Sequence, residues 1–307
     1  MRIDQLLYLL EIANAGSFSK AAERLHISQP SLSQSIASLE EELGIQLFKR
    51  SRHGAQLTET GTRIFDKAYA IHKLMDDIKG VAEKQQSLLS GKLRIASIPS
   101  FCMTILPRTA LNFKYKFPNI QIEIVEEGSL EIVNYLTNGS IDLGLVSRRS
   151  AANFDDSLSF TPLFEGRVMA CVNSRSPYAN KKSISLKEII QWPLVLFNQN
   201  YRMHSHLLTL LKQFGEPNIL LTAKNSLSIK KVVIEGLAIG FDASIALKSD
   251  PFVESGAIIP LDIIEETSTV FGILHKKKYL TTASEEFIAE LSDQAANFRR
   301  IYNLKSH

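Results

Sequence analysis

At Leu93 the spacing of apolar residues in this chain changes, and the change rules out one continuous architecture for the whole sequence. Before it, apolar residues recur every three or four positions, the repeat of a helix face. After it, short runs such as Leu93-Arg94-Ile95-Ala96-Ser97-Ile98 alternate with helical stretches, the pattern of strands and helices packed in layers. A chain of 307 residues has room for two or three domains. The expectation is an α body followed by an α/β body.

Composition narrows the functions. A hydrophobic fraction of 45% with 22% charged residues suits a soluble globular protein. No apolar run approaches the roughly 20 residues of a membrane helix. Asp4 and Glu11 interrupt the apolar positions where an export signal needs continuity, so a cytoplasmic protein with no membrane partner is expected. Cys102 and Cys171 lie far apart with no C-x-x-C motif, and reduced thiols are expected. The sequence lacks a nucleophile elbow, a P-loop, a G-x-G-x-x-G turn and H-E-x-x-H, so no enzyme is expected. In His204-Ser205-His206 the two histidines do not share a helix face, so no metal site is read there. No cofactor is implied.

Acidic residues slightly outnumber basic ones over residues 1–66. An argument for nucleic acid must therefore rest on where the charges sit. Lys49, Arg50, Arg52 and His53 form one cluster, and Glu40, Glu41 and Glu42 another.

The first 58 residues read as short helices punctuated by turns. Asp4 is positioned to cap a helix bearing Leu6, Leu7, Leu10 and Ala13, and Gly16 to end it. Ser17 starts a second helix carrying Phe18, Ala21, Ala22 and Leu25. After the turn His26-Ile27-Ser28, Ser28 caps a third helix with Pro30 in its first turn, where a missing N–H costs nothing. That helix buries Leu32, Ile36 and Leu39 and turns Pro30, Ser31, Gln34 and Ser38 outward. Two helices joined so tightly make a helix-turn-helix. Its small, amide-bearing outer face suits a major groove, where Gln pairs with adenine and Ser donates or accepts. An ordinary helical hairpin carries the same pattern, so this segment alone leaves both readings open.

The next segment decides between them. Glu41-Glu42-Leu43-Gly44-Ile45-Gln46-Leu47-Phe48-Lys49-Arg50 and Arg52-His53-Gly54-Ala55-Gln56-Leu57-Thr58 read as a two-stranded wing with a basic tip. Here the sequence resembles LysR-type regulators. The resemblance rests on Phe18-Ser19-Lys20-Ala21-Ala22-Glu23-Arg24-Leu25, Ser28-Gln29-Pro30-Ser31-Leu32-Ser33, Leu39-Glu40, Gly44, Leu47-Phe48-x-Arg50 and Leu57-Thr58-x-x-Gly61. It implies a transcription regulator that binds double-stranded DNA at an operator or promoter, with RNA polymerase a further partner. By the resemblance Gln29, Pro30, Ser33 and Gln34 read bases, and Arg50 is a backbone or structural contact. Ser28, Ser31, Ser38 and Lys49 complete the DNA face. The family usually has arginine at the second wing position. Here His53 stands there beside Arg52, and both are candidates for the minor groove.

Thr58 caps a helix predicted to reach about Gln86. Ile64, Ile71 and Ile78 repeat every seven residues, and Ala68, Met75 and Ala82 follow each by four. Such a seam needs a partner surface, either the chain's own globular part or a second copy. Dimerisation fits paired DNA half-sites, and the resemblance implies a tetramer built as a dimer of dimers. The sequence thus divides into a winged helix-turn-helix (1–58), a linker and dimerisation helix with its hinge (59–91), and an effector-binding domain (92–307).

Within the last part, strands at Leu93–Ile98, Ile120–Glu126 and Ile141–Ser147 bracket helices at Phe101–Phe117 and Leu130–Asn138, a βαβαβ sheet. A second block has a strand at Arg167–Val172 and helices near Leu186–Gln191, His204–Phe214 and Ile229–Glu235. A strand at Thr269–His275 and a helix at Ser284–Ile301 close the chain. The chain leaves one lobe (about 92–161 and 267–303) for another (about 162–266) and returns. With Gly139-x-Ile141-Asp142-Leu143-Gly144-Leu145, this resembles the two-lobed, periplasmic-binding-protein-like domain of the LysR family.

Open α/β sheets bind ligands beyond the carboxyl ends of their strands. Pro99, Ser100 and Phe101 follow the first strand and Ser129 the second, at helix starts that favour an anion. Phe197, Asn198, Asn200 and Ser226 follow strand-like segments of the second lobe. Together they are the candidate pocket for a small anionic effector. The two serines read equally well as helix caps. Cys102 beside the pocket makes a redox-responsive regulator the alternative. A solute receptor of the same fold is a third reading, against which the helix-turn-helix argues. Lys276-Lys277-Lys278 reads as a solvated strand end.

Overall fold

The computed structural model describes residues 1–51, 54–84, 90–149, 154–277 and 280–304. In its N-terminal part α1 (Ile3–Ala15), α2 (Phe18–Arg24) and α3 (Gln29–Leu43) pack with a hairpin of β1 (Phe48–Ser51) and β2 (Gly54–Leu57), and α4 (Glu59–Lys84) leads away. Local caps set the helix starts. Ser28 Oγ accepts from Ser31 N at 3.2 Å and Thr58 Oγ1 from Gly61 N at 2.8 Å, each satisfying a donor that helix geometry leaves unpaired. Asp4 is not the cap of α1. Gln5 Oε1 accepts from Arg2 N at 2.8 Å and starts the helix earlier, so Asp4 lies in the first turn, 3.2 Å from Arg2. Leu9, Ile12, Leu32, Ile36, Leu39 and Leu47 are buried together, each contributing roughly 1.5–3 kcal/mol. Phe65, Ala68 and Tyr69 carry this core onto α4.

The first lobe begins with β3 (Gly91–Ser97), α5 (Pro99–Cys102), α6 (Ile105–Lys116), β4 (Ile120–Glu126), α7 (Ser129–Thr137) and β5 (Leu143–Arg148). Here β3 pairs parallel with β4 and β5, the predicted βαβαβ unit. The single helix expected over Phe101–Phe117 is two helices. Pro107 is tolerated only within a first turn, so a helix that contains it restarts just before it, at Ile105.

The chain crosses over on β6 (Leu158–Asn173). The second lobe holds β7 (Ser183–Ile184), α8 (Leu186–Ile189), β8 (Leu194–Phe197), α9 (Arg202–Leu211), β9 (Ile219–Ala223), α10 (Ser226–Ile234), β10 (Gly240–Ala243), α11 (Pro251–Glu254) and β11 (Ile258–Ile263). β12 (Ser268–Lys276) and α12 (Thr282–Tyr302) return to the first lobe, with β12 antiparallel between β5 and β6.

One strand serves both lobes. From Leu158 to Arg167, β6 pairs with β12; from Val168 to Asn173 it pairs with β10 and β11. The change of lobe therefore falls at Arg167/Val168 inside a strand, and not near residue 162. Backbone groups there stay paired: Arg167 N donates to Ser244 Oγ at 3.1 Å and Val168 N to the Thr267 carbonyl at 3.1 Å. Beneath the crossing, the rings of Phe101, Phe164 and Phe271 meet at 5.7–6.0 Å. In the second lobe Lys230 is buried against Asp250 at 2.5 Å and Asp242 at 3.1 Å. Among the described residues, no helix is long and apolar enough to cross a membrane.

Candidate DNA interface and inter-lobe cleft

The cap and outer face of α3 present Ser28, Gln29, Pro30, Ser31, Gln34 and Ser38 to solvent, whereas Ser33 is half-buried. Gln29 Oε1 accepts from Ser19 Oγ at 3.0 Å. That bond fixes the amide and leaves its N–H₂ side to serve as donor. The helix is braced from behind. Buried Gln5 donates to the Ser35 carbonyl at 3.2 Å, and Glu40 accepts from Leu47 N at 2.6 Å and Phe48 N at 3.2 Å. Glu40 is thus not one more member of an acidic cluster; it pins the wing to the recognition helix.

In the wing, Lys49 is exposed opposite Gln56, and Arg50 stands opposite Ala55. Arg52 and His53 lie outside the described residues, as do the side chains of Arg50, Ile78 and Ala82. Phe18 meets Phe48 edge-on at 5.5 Å, and Ala55 N donates to the Gly16 carbonyl at 2.9 Å. Thr58 donates through N to the Leu47 carbonyl and through Oγ1 to that of Gln46. A Cβ on Gly61 would fall 2.1 Å from the Leu47 oxygen, so only glycine lets α4 start this close to the wing. The motif Leu57-Thr58-x-x-Gly61 is a junction between wing and linker.

The heptad seam divides. Ala68 is covered by the chain's own N-terminal core, with Ile64 and Ile71 half-buried against it. Ala68 therefore does not face a second copy; its small side chain lets α4 approach α1 closely. Met75 is half-buried. Tyr69 reaches the first lobe, where a Cβ on Gly139 would lie 2.3 Å from its ring and Lys276 Nζ stands 4.1 Å from the ring centroid. Lys276 is thus a cation on an aromatic face, not a purely solvated strand end.

Between the lobes, Pro99, Ser100, Ser129 and Phe197 meet around a cavity of about 30 Å³, with Ser147, Tyr201, Arg202, Met203, Asp242 and Phe271 also on its wall. Other expected members lie elsewhere. Phe101 is in the hydrophobic core, turned away from its neighbour Ser100 on a one-turn helix. Asn198 Oδ1 accepts from Asn200 N, and the Asn200 carbonyl accepts from Leu130 N and lies against Gly128. Ser226 Oγ donates to Asp242 at 2.6 Å inside the second lobe. Ser129 opens the nine-residue α7, so the anion argument from a helix dipole applies to it. It does not apply to Ser100, whose α5 has four residues. Lys224 and Glu127 join the two lobes at 2.6 Å. The lobes are closed on a space of water-like size.

A larger cavity of about 240 Å³ shares Ser147, Arg202, Met203 and Phe271 with the first and adds Arg148, Arg149, Ser205, His206, Thr209, Val168 and Thr269. Arg148 ends β5 and Arg149 follows it. Arg202, Ser205, His206 and Thr209 form one face of α9, three and four residues apart. Val168 and Thr269 come from the crossing strands. The Arg148 guanidinium stands 4.6 Å from the Phe160 ring centroid and that of Arg202 5.0 Å from Phe154, and those rings touch at 5.5 Å. Burial lowers the pKa of Arg202. Burial and the Arg149 charge push His206 below the usual imidazole range, with Glu266 opposing. The sequence reading missed this cluster, although an Arg-Arg pair at a strand's carboxyl end and Arg202/His206 at i, i+4 were visible signals. His204 has a different task, with Nδ1 2.7 Å from the Phe197 carbonyl.

Cys102 sits beside the small cavity. Burial pushes its thiol up to about 11, with a Ser97 hydrogen bond opposing and Glu126 adding. It is protonated at neutral pH and a poor nucleophile. Burial, then the Asp242 charge, pushes Cys171 further up.

Known proteins place this geometry. Residues 3–62 match the model of the bacterial regulatory helix-turn-helix protein, lysR family, and residues 86–296 that of the LysR substrate binding domain. The uncharacterized HTH-type transcriptional regulator YwbI of Bacillus subtilis is 32% identical over 290 residues, covering 94% of this chain and 95% of its own. A full-length OxyR from Pseudomonas aeruginosa superposes with a TM-score of 0.71 at 22% identity, covering 96% and 94% of the two chains. CbnR complexed with its target DNA does so at 0.57 and 20%, covering 96% and 100%. These two likenesses carry the fold: an N-terminal helix-turn-helix followed by a two-lobed α/β domain. With both family models matched in order and a relative above 30% identity along almost its full length, the chain belongs to the LysR family of DNA-binding transcription regulators.

Proposed function

We propose that this regulator reads its operator through the outer face of α3 and is switched by a small anionic metabolite held between the two lobes. Gln29, Pro30, Ser33 and Gln34 are its base readers. Ser28, Ser31, Ser38, Lys49, Arg50 and the wing tip at Arg52 and His53 contact the backbone and minor groove. The chain acts in the cytoplasm as a dimer or dimer of dimers, with RNA polymerase as a further partner. The functional units are residues 1–58, 59–91 and 92–307, none of them catalytic.

The observation that carries the effector reading is the cleft itself. Its wall takes Ser129 from the first lobe and Phe197, Arg202 and Asp242 from the second, so a bound molecule changes how the lobes sit. To act as a switch it must favour one arrangement by its difference in affinity for the two. A thermal-shift screen of carboxylic acids, amino acids and phosphates against the full chain tests this, paired with gel shifts on its own upstream DNA. The expected result is a compound that raises Tm and alters DNA retardation. The reading fails if no compound does either and Ser129→Ala leaves every response unchanged. Sedimentation of the same preparation reads the oligomer. The redox alternative has no support from Cys102, whose thiol burial keeps protonated.

A further inference from the structure

We propose that the arginine-lined cavity between the end of β5 and α9 binds a tetrahedral dianion, a phosphate or sulfate group. This rests on the inter-lobe reading above and names the ligand class. Four basic side chains converge there from two lobes: Arg148 and Arg149 from the first, Arg202 and His206 from the second. Glu266 is the acid whose charge reaches Arg149 and His206, and its carboxylate already accepts from Ser268 N at 2.6 Å. Arg202 Nε and His206 Nε2 are buried and have no hydrogen-bond partner among the described residues. Buried polar atoms are nearly always paired in native proteins. The Arg202 N–H therefore calls for an acceptor, and a neutral His206 can donate to the same acceptor in the tautomer protonated at Nε2.

The chemistry selects the class. The guanidinium carbons of Arg148 and Arg202 lie over the rings of Phe160 and Phe154. An aromatic ring on one side of a guanidinium takes up no N–H donor and leaves those groups to an acceptor elsewhere. A planar monocarboxylate brings one charge and acceptors in one plane to a site lined by three arginines. A tetrahedral dianion offers acceptors in several directions and twice the charge. At about 240 Å³ the cavity exceeds one phosphate, and it shares Ser147, Arg202, Met203 and Phe271 with the small serine-lined space. A phosphate ester thus has room for a short organic part.

The arrangement also supplies the switch. Like charges from opposite lobes repel across the cleft in proportion to their closeness. A dianion between them turns that repulsion into attraction, so it is bound more tightly by the closed lobes than by separated ones.

The test is calorimetry on the full chain with inorganic phosphate, sulfate and glycerol 3-phosphate as probes and acetate as the monoanion control. The dianions are expected to bind and acetate to bind at least tenfold more weakly. Arg149→Gln and His206→Gln are each expected to weaken the dianions ten- to a hundredfold, with Tm of the unliganded protein kept. Arg149 is exposed, so its replacement leaves the core packing untouched. Tighter binding of the ester than of the inorganic ions assigns an organic phosphate; the reverse assigns the free ion. The inference is overturned if the dianions bind no better than acetate, or if both cavity variants bind them as the parent does. A carboxylate found by the thermal screen, with no phosphate or sulfate binding, would sink this inference and leave the inter-lobe reading standing. No ligand of any class would sink both.

Discussion

The DNA face and the inter-lobe cleft follow opposite plans. On α3 the outward residues are neighbours in sequence, and every brace behind them comes from within the first 61 residues: Ser19 on Gln29, Gln5 on Ser35, Glu40 on the wing, Thr58 on Gly61. The cleft gathers Ser100, Ser129, Arg148, Arg202, Asp242 and Thr269 from six separate segments. The first surface is preformed. The second has walls in two bodies joined by crossing strands, and its shape depends on how those bodies sit. A reader of a fixed lattice of base edges needs the former, and a detector needs the latter.

Four substitutions or reagents test how separate the two plans are. The largest effect is expected from Lys230→Ala. Burial alone would push that ammonium down, but Asp242 and Asp250 outweigh it and hold its pKa above the ordinary value. Removing the lysine leaves two buried carboxylates uncompensated, at a cost of about 3–5 kcal/mol. A lower Tm is expected with unchanged hydrogen exchange in α1–α3; loosening of those helices as well would show that the regions share one fate. Gly61→Ala attacks the other side. Its methyl meets the Leu47 carbonyl, costing about 1–3 kcal/mol and weakening DNA binding, while ligand-domain exchange stays as in the parent.

Gln34→Ala sharpens the comparison without touching stability, since the side chain is exposed. It should remove about 1–3 kcal/mol of discrimination at one base pair, read by gel shift on operator variants. An unchanged preference would strike Gln34 from the readers. The smallest effect concerns Cys102. With its thiol near 11, iodoacetamide should barely label it between pH 7 and 8, and labelling should rise as pH climbs toward 11. Rapid labelling at pH 7 would restore the redox alternative.

How much was legible follows the same division. Ser28, Pro30 and Thr58 act on atoms a few residues away or across one short hairpin, so spacing revealed them, while Gly44 and Gly61 entered only through the family resemblance. The seam misled at Ala68, because a small residue at a heptad position looks the same whether it faces a partner or its own domain. In the second lobe, Leu194–Phe197 and Gly240–Ala243 are buried at every position. Strands buried on both faces lose the alternation by which strands are recognised. Ser129 was expected at the cleft, whose wall it joins, because it opens a helix after a strand. Phe101 was misplaced because adjacency to Ser100 says nothing about side when a helix lasts one turn. The arginines and His206 escaped because their meaning exists only once β5 and α9 face each other.

The strand shared by the lobes also governs the order in which the molecule can be completed. On a ribosome the N-terminal body has every part it needs once α4 has emerged. The first lobe does not: β5 gains its far neighbour only from β12, which is made after the entire second lobe. At about 5–20 residues per second that delay is on the order of ten seconds. For that interval the nascent chain carries a finished DNA-reading head, while one edge of the sheet in its sensing domain waits for a strand still to be translated.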